Sequence, residues 1–184
     1  LGVGAVHRAI EAGLMAGGVT IRAELPLDAA AIAAVTTAAF LDAPHTSHTE
    51  QFIVAALRRA GALTVSLVAV EAGAVIGHVA VSPVAISDGA VGWYGLGPIS
   101  VLPARQGQGI GSGLMHAAMD ALRARGAAGC VLLGDPLFYG RLGFRTEPGL
   151  VLPGVPPEYF QAFAFGATLP RGVVTYHAAF DARA

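Results

Sequence analysis

The residues most suggestive of chemistry stand together as Arg105-Gln106-Gly107-Gln108-Gly109-Ile110-Gly111-Ser112-Gly113, with glycine at every second position from Gly107 onward. Where a strand runs into a helix, successive backbone N–H groups can converge on an anion. The first amides of a helix have no internal partner, and the dipole places about half a positive charge there. Glycines let a ligand approach the backbone closely. The chemistry this points to is pyrophosphate binding by main-chain amides; without a ligand the same run is a glycine-rich helix start.

Three phosphate loops compete for the segment. The dinucleotide fingerprint G-x-G-x-x-G fails, since counting from Gly107 ends on Ser112 and counting from Gly109 ends on Leu114. The Walker loop needs a lysine, and the chain contains none. What fits is Q/R-x-x-G-x-G/A, with Gln106, Gly109 and Gly111.

The elements that must position this loop are legible from pattern. Before it, Val91 to Val101 reads as a strand whose Gly92, Gly95, Gly97 and Pro98 predict a kink or bulge. After it, Ile110, Leu114, Ala118, Ala121 and Leu122 recur at helical spacing, with Arg123 and Arg125 near the carboxyl end and Gly126 as terminator. Gly129 to Leu133 is a short apolar strand; Asp135 then caps and Pro136 opens a helix of about two turns closed by Gly143. Upstream, Val19 to Glu24 reads as a strand, Leu27 to Phe40 and His48 to Ala60 as helices, and Thr64 to Glu71 with Val75 to Val81 as a hairpin around Ala72-Gly73-Ala74. The tail offers Leu150 to Leu152, an aromatic segment Tyr159 to Phe165, and a last strand Val173 to Phe180. The expected class is α/β (α+β), a mixed, mostly antiparallel central sheet flanked by helices.

With the loop and its flanks in this order, the chain resembles the Gcn5-related N-acetyltransferase (GNAT) superfamily. Leu96-Gly97-Pro98-Ile99-Ser100-Val101-Leu102-Pro103 looks like the end of that family's fourth strand, and Gly134-Asp135-Pro136-Leu137-Phe138-Tyr139-Gly140-Arg141-Leu142-Gly143-Phe144 is similar to its F-Y-x-x-x-G-F element. The match covers Val19 to Phe180 in plan and is specific from Leu96 to Phe144. The Gly-Pro in the strand and the Gly-Asp-Pro before the last helix look most like bacterial YhbS-type acetyltransferases. The resemblance implies an acyl-CoA N-acyltransferase fold with splayed fourth and fifth strands. It also implies acetyl-CoA (coenzyme A) as cosubstrate, an amine acceptor, direct attack in a ternary complex and no metal. By the same resemblance the cofactor site comprises Ile99, Ser100, Val101, Gln106, Gly107, Gln108, Gly109, Ile110, Gly111 and Ser112. An amide near Val101 would stabilise the oxyanion, and Tyr139 would be the general acid.

Acyl transfer to an amine sets two proton tasks, since an ammonium of pKa about 10 must lose a proton and a departing thiolate of pKa about 8.5 gains from receiving one. Phe138 and Leu142, four apart, predict the core face of their helix, which leaves the Tyr139 phenol free to point toward a cleft; the competing role is a half-buried core tyrosine. For the base, His78, His45, His48, Asp42, Glu50 and Asp135 all qualify by chemistry, Asp135 being better explained as a cap, and a water chain could serve instead. Trp93 or Tyr94, and Phe160, Phe163 and Phe165, could line the acceptor pocket or simply pack.

Composition narrows the rest. Hydrophobic types make up 54 % and charged types 12 % of 184 residues, with a mean hydropathy of +0.63, so disorder is excluded. The longest stretches free of Asp, Glu and Arg, Ala72 to Ser87 and Gly89 to Ala104, are broken by Gly and Pro and fall short of the roughly 20 residues that cross a bilayer. A net charge of −1 with no block of like charge argues against nucleic acid. Absent lysine removes Schiff-base and pyridoxal chemistry, and the lack of clustered carboxylates disfavours a nucleotide hydrolase. The lone Cys130, in an apolar strand, reads as core and fits a reducing cytoplasm. Residues 1–18 read as an N-terminal extension with Met15 a candidate start, and 19–184 as a single domain. An apolar chain with an exposed edge strand could pair as a homodimer. A noncatalytic acyl-CoA-binding or interaction module of the same fold is the competing function.

Overall fold

The computed structural model describes residues 13–14, 17–44, 46–166 and 168–184. The candidate start at Met15 and the candidate base His45 lie outside the described residues. In chain order the regular elements are β1 (Gly13–Leu14), β2 (Val19–Ala23), α1 (Ala29–Phe40), α2 (Glu50–Arg59), β3 (Val65–Glu71), β4 (Ala74–Pro83), β5 (Ala85–Ile86), β6 (Trp93–Val101), α3 (Ile110–Ala124), β7 (Gly129–Leu133), α4 (Pro136–Tyr139), β8 (Leu150–Val151), β9 (Phe160–Ala164) and β10 (Gly172–Thr175).

Seven strands form the main sheet in the order β1-β2-β3-β4-β6-β7-β9, antiparallel throughout except between β6 and β7. This is the mixed, mostly antiparallel architecture expected. Period-two alternation in β3 and β4 sends side chains to opposite faces. Leu67, Val79 and Val81 meet α3 through Leu114, Met115, Ala118 and Leu122, while Val68 and Ala80 meet Ile32 of α1 and Val54 of α2. Both faces are covered, which is why the central strands read as nearly continuous apolar runs. Truncating Leu114 or Leu122, both with no exposure, would cost about 2–5 kcal/mol.

The hairpin between β3 and β4 turns on two residues, Ala72 and Gly73, both at positive φ; Ala74 belongs to the strand. One expectation for the tail is corrected. The last strand stops at Thr175, and Ala178–Asp181 is a short 3-10 helix. One outer strand of the main sheet is β9, from the aromatic segment, whereas β10 joins β5 and β8 in a small separate sheet. Aromatic spacing conceals β9, since Phe160 packs in one cluster and Phe163 packs against another.

The feature that makes the site is where β6 and β7 part. They pair only from Trp93 to Gly95 against Gly129 to Val131. Beyond this, β6 continues along β4, while Leu132 and Leu133 continue along β9. At the point of parting, Gly97 and Pro98 both stand opposite Ala80, a β-bulge; Gly97 takes φ +143°, a conformation open to glycine, and Pro98 has no N–H to give. The kink expected from the sequence is this bulge.

Candidate active site

Gly109 precedes α3 at φ +81° and supplies no side-chain cap. The amides from Gly107 to Ser112 therefore donate to no acceptor among the described residues; the first ladder bond is Gly113 N–H to the Gly109 carbonyl, 2.9 Å. A Cβ built at Gly107 or Gly109 meets nothing within 4 Å, so the space in front of these amides is open. The hollow beside them, about 170 Å³, is also lined by Val101 and Phe138.

Arg105 and Gln106 brace this curl. The Arg105 guanidinium pairs with the Glu71 carboxylate, and the Gln106 Nε2 donates to the Val101 carbonyl at 3.0 Å, lacing loop to strand. Gln108 likewise turns back to the Ala104 carbonyl, 3.3 Å. Along β6 the Leu102 N–H donates to Ile76 of β4 at 2.9 Å. Successive strand amides alternate edges, so Val101 and Ile99 present theirs to the gap where β7 has left. Ser100 does not: its backbone faces β4 and its hydroxyl lies 3.3 Å from Thr36 on α1.

Tyr139 sits across the gap. Asp135 caps α4 by accepting from the Leu137 N–H at 2.8 Å, as its sequence position implied. The helix then brings the Tyr139 ring onto Gly134, where an added Cβ would stand 2.1 Å from the ring. Gly134 is itself held by the Tyr159 carbonyl and the Gln161 side chain. Phe138 and Leu142, expected as the core face, are half-buried, and Tyr139 is the more buried residue at 9 % exposure. Burial, then the nearby Asp135, pushes its phenol up to about 12, so it holds its proton at neutral pH. Its hydroxyl has no hydrogen-bond partner among the described residues.

Beyond the bulge lies a cavity of about 510 Å³, reached by Tyr139, Leu96 to Ile99, Glu50 and Ile53 of α2, and Tyr176 and Phe180 of the tail. Among the base candidates in the described residues only Glu50 lines it. Asp42 and His48 are exposed elsewhere, and Asp135 is engaged as a cap. His78 has no exposure: its Nε2 lies 2.8 Å from the Ser66 hydroxyl, which contacts Glu24, itself paired with Arg58 at 2.8 Å. Burial lowers the His78 pKa despite Glu24, so the ring is neutral and serves the core. Trp93 packs on Gly129, and Phe160, Phe163 and Phe165 cover the sheet rather than the cavity. Cys130 is fully buried and its thiol is pushed up by desolvation, which makes it core. Tyr176 and Phe180 were missed, because nothing in the tail's spacing marks them until the chain returns over Gly95.

Among the described residues no group of three His, Cys, Asp or Glu could hold a metal ion, and no helix is long and apolar enough to cross a membrane. An amide cradle, a parted pair of parallel strands and a phenol across the gap lie at one side of the sheet. Residues 62–146 match the acetyltransferase (GNAT) domain model. The chain is 40 % identical over 126 residues to the uncharacterized N-acetyltransferase YhbS of Escherichia coli K12, which covers 68 % of this chain and 72 % of that protein. A Brucella melitensis GNAT acetyltransferase solved with acetyl-CoA superposes with a TM-score of 0.80 at 53 % identity, over 89 % of this chain and 98 % of that one. E. coli YhbS solved with CoA gives 0.81 at 35 % identity, over 89 % and 92 %. The chain belongs to the GNAT acetyltransferase family.

Proposed function

We propose that the protein transfers the acetyl group of acetyl-CoA to an amine by direct attack within a ternary complex. The observation that carries the reading is that the unpartnered amides at Gly107 to Ser112 adjoin a hollow lined by Val101 and Phe138, while Ile99 and Tyr139 of the same two elements line the larger cavity. The amides hold the pyrophosphate without lysine. The Ile99 and Val101 edge groups take the pantetheine arm in place of the absent strand, and one of these N–H groups faces the oxyanion as the carbonyl becomes tetrahedral. The relatives solved with CoA and acetyl-CoA support this choice of cosubstrate.

Tyr139 assists the leaving sulfur. A phenol at about 12 does not hand its proton fully to a thiolate whose pKa in water is about 8.5. It donates a strong hydrogen bond as the C–S bond lengthens, and the apolar surroundings that raise the phenol raise the thiol as well.

Calorimetric titration of acetyl-CoA followed by thiol release over a panel of amines tests the assignment. Binding and acceptor-dependent release are expected. Binding without release on any amine would favour a noncatalytic acyl-CoA module. Gly109→Glu places a side chain at φ +81° and a negative charge at the cradle, so acetyl-CoA affinity should fall by about 100-fold or more; retained affinity would show that the pyrophosphate lies elsewhere.

A further inference from the structure

Glu50, which lines the acceptor cavity, carries one buried carboxylate oxygen with no hydrogen-bond partner. Glu50 is the first residue of α2, directly after the N-cap Thr49, and one half of its carboxylate ties down the loop before the helix. Oε1 accepts from the Thr46 hydroxyl at 2.7 Å and the Ser47 N–H at 3.2 Å. Oε2 is buried without a partner, in a residue only 9 % exposed that lines the 510 Å³ cavity. A buried carboxylate oxygen lacking a donor is costly, and a ligand N–H in the cavity would supply one. The rest of the lining is apolar, including Phe40, Ile53, Leu96, Val155 and Phe180, and Glu50 is its one acidic or basic side chain. The other titrating groups there are the Tyr139 and Tyr176 phenols.

We infer that Glu50 receives the acceptor's ammonium group, and that the acceptor is a primary monoamine carrying an apolar aryl or alkyl body. This rests on the acetyl-transfer reading above. One ammonium proton passes to Oε2, leaving a neutral amine whose lone pair forms the N–C bond to the acetyl carbonyl. As the C–S bond breaks, the second proton passes from nitrogen to the departing sulfur, which is hydrogen-bonded to Tyr139 and leaves as thiol. Glu50 then releases its proton to water. A polycation leaves charges buried against apolar walls, and an amino acid brings its own carboxylate toward Glu50, so both are disfavoured.

The test uses phenethylamine and its neutral isostere phenethyl alcohol. Titrated into the full chain without acetyl-CoA, the amine should bind about tenfold or more tightly than the alcohol. In Glu50→Gln the two should bind alike, and phenethylamine turnover should fall by about 100-fold in kcat/KM with acetyl-CoA affinity kept within about twofold. Glu50→Asp should recover part of the loss. Equal binding of amine and alcohol to the unaltered chain overturns the inference, a result independent of how any variant folds. So does preferential acetylation of spermine or L-phenylalanine. If acetyl-CoA fails to bind at all, the parent reading falls, whereas acetyl-CoA binding with amine-blind cavity affinity removes only Glu50's role.

Discussion

At the scale of single residues, the assignment rests on two side chains that line the same cavity: Tyr139, whose hydroxyl makes no hydrogen bond among the described residues, and Glu50, whose buried Oε2 has no partner. Tyr139→Phe removes an oxygen that bonds nothing in the protein, so stability should be nearly unchanged. Turnover should drop by about 10²-fold or more while acetyl-CoA affinity stays within about twofold. Steady-state kinetics beside calorimetry separate these quantities, and an unchanged kcat ends the acid assignment. Gly134→Ala tests the seat of the phenol, because its Cβ would enter the ring. A loss of about 1–3 kcal/mol by denaturant titration and a loss of turnover are expected together. Tyr139 was legible in sequence because its motif is local. Glu50 stood among six base candidates, and nothing local to it marked which of them lines the cavity.

At the scale of elements, the cradle is a helix start kept uncapped by glycine and held to its strand by one amide. Gln106→Ala frees the curl from Val101, so acetyl-CoA affinity should weaken by roughly fivefold, about 1 kcal/mol for one lost hydrogen bond, with kcat little changed. Calorimetry reads this directly; no change in affinity would mean that the curl needs no lacing. The loop, α3, β7 and α4 were legible because each has local punctuation: glycine at positive φ, helical spacing, a capping aspartate and a proline at the first turn. The division of the tail between two sheets was not. Strand partners in β8, β9 and β10 come from distant parts of the chain, and two- to five-residue strands carry too little periodicity to name them.

At the scale of the whole molecule, the Ser66-His78-Glu24-Arg58 network ties β2, β3, β4 and α2 behind the sheet. Burial alone would raise Glu24, but hydrogen bonds from Arg58 and Ser66, with His78 3.7 Å away, outweigh it and hold the carboxyl far below its ordinary 4.5. His78 is lowered from 6.5. Both folded values lie below the unfolded ones, so the unfolded chain binds more protons in acid and stability is lost as pH falls. The decline should begin below about pH 6.5 with His78 and steepen below about 4.5 with Glu24. Urea unfolding across pH 8 to 4 measures it, and His78→Gln should flatten the first stage. A slope between pH 7 and 5.5 identical in that variant would place the proton elsewhere.

The sequence by itself determined the family, the amide cradle, the bulged strand before it and the tyrosine after it, because each depends on neighbours within a few residues. Only the tertiary structure decided which carboxylate meets the cavity, that His78 is sealed in the core, and that Tyr176 and Phe180 help enclose that cavity. Those outcomes turn on which faces of distant segments the packed sheet brings together, and burial of that kind leaves no local mark on the residues it selects.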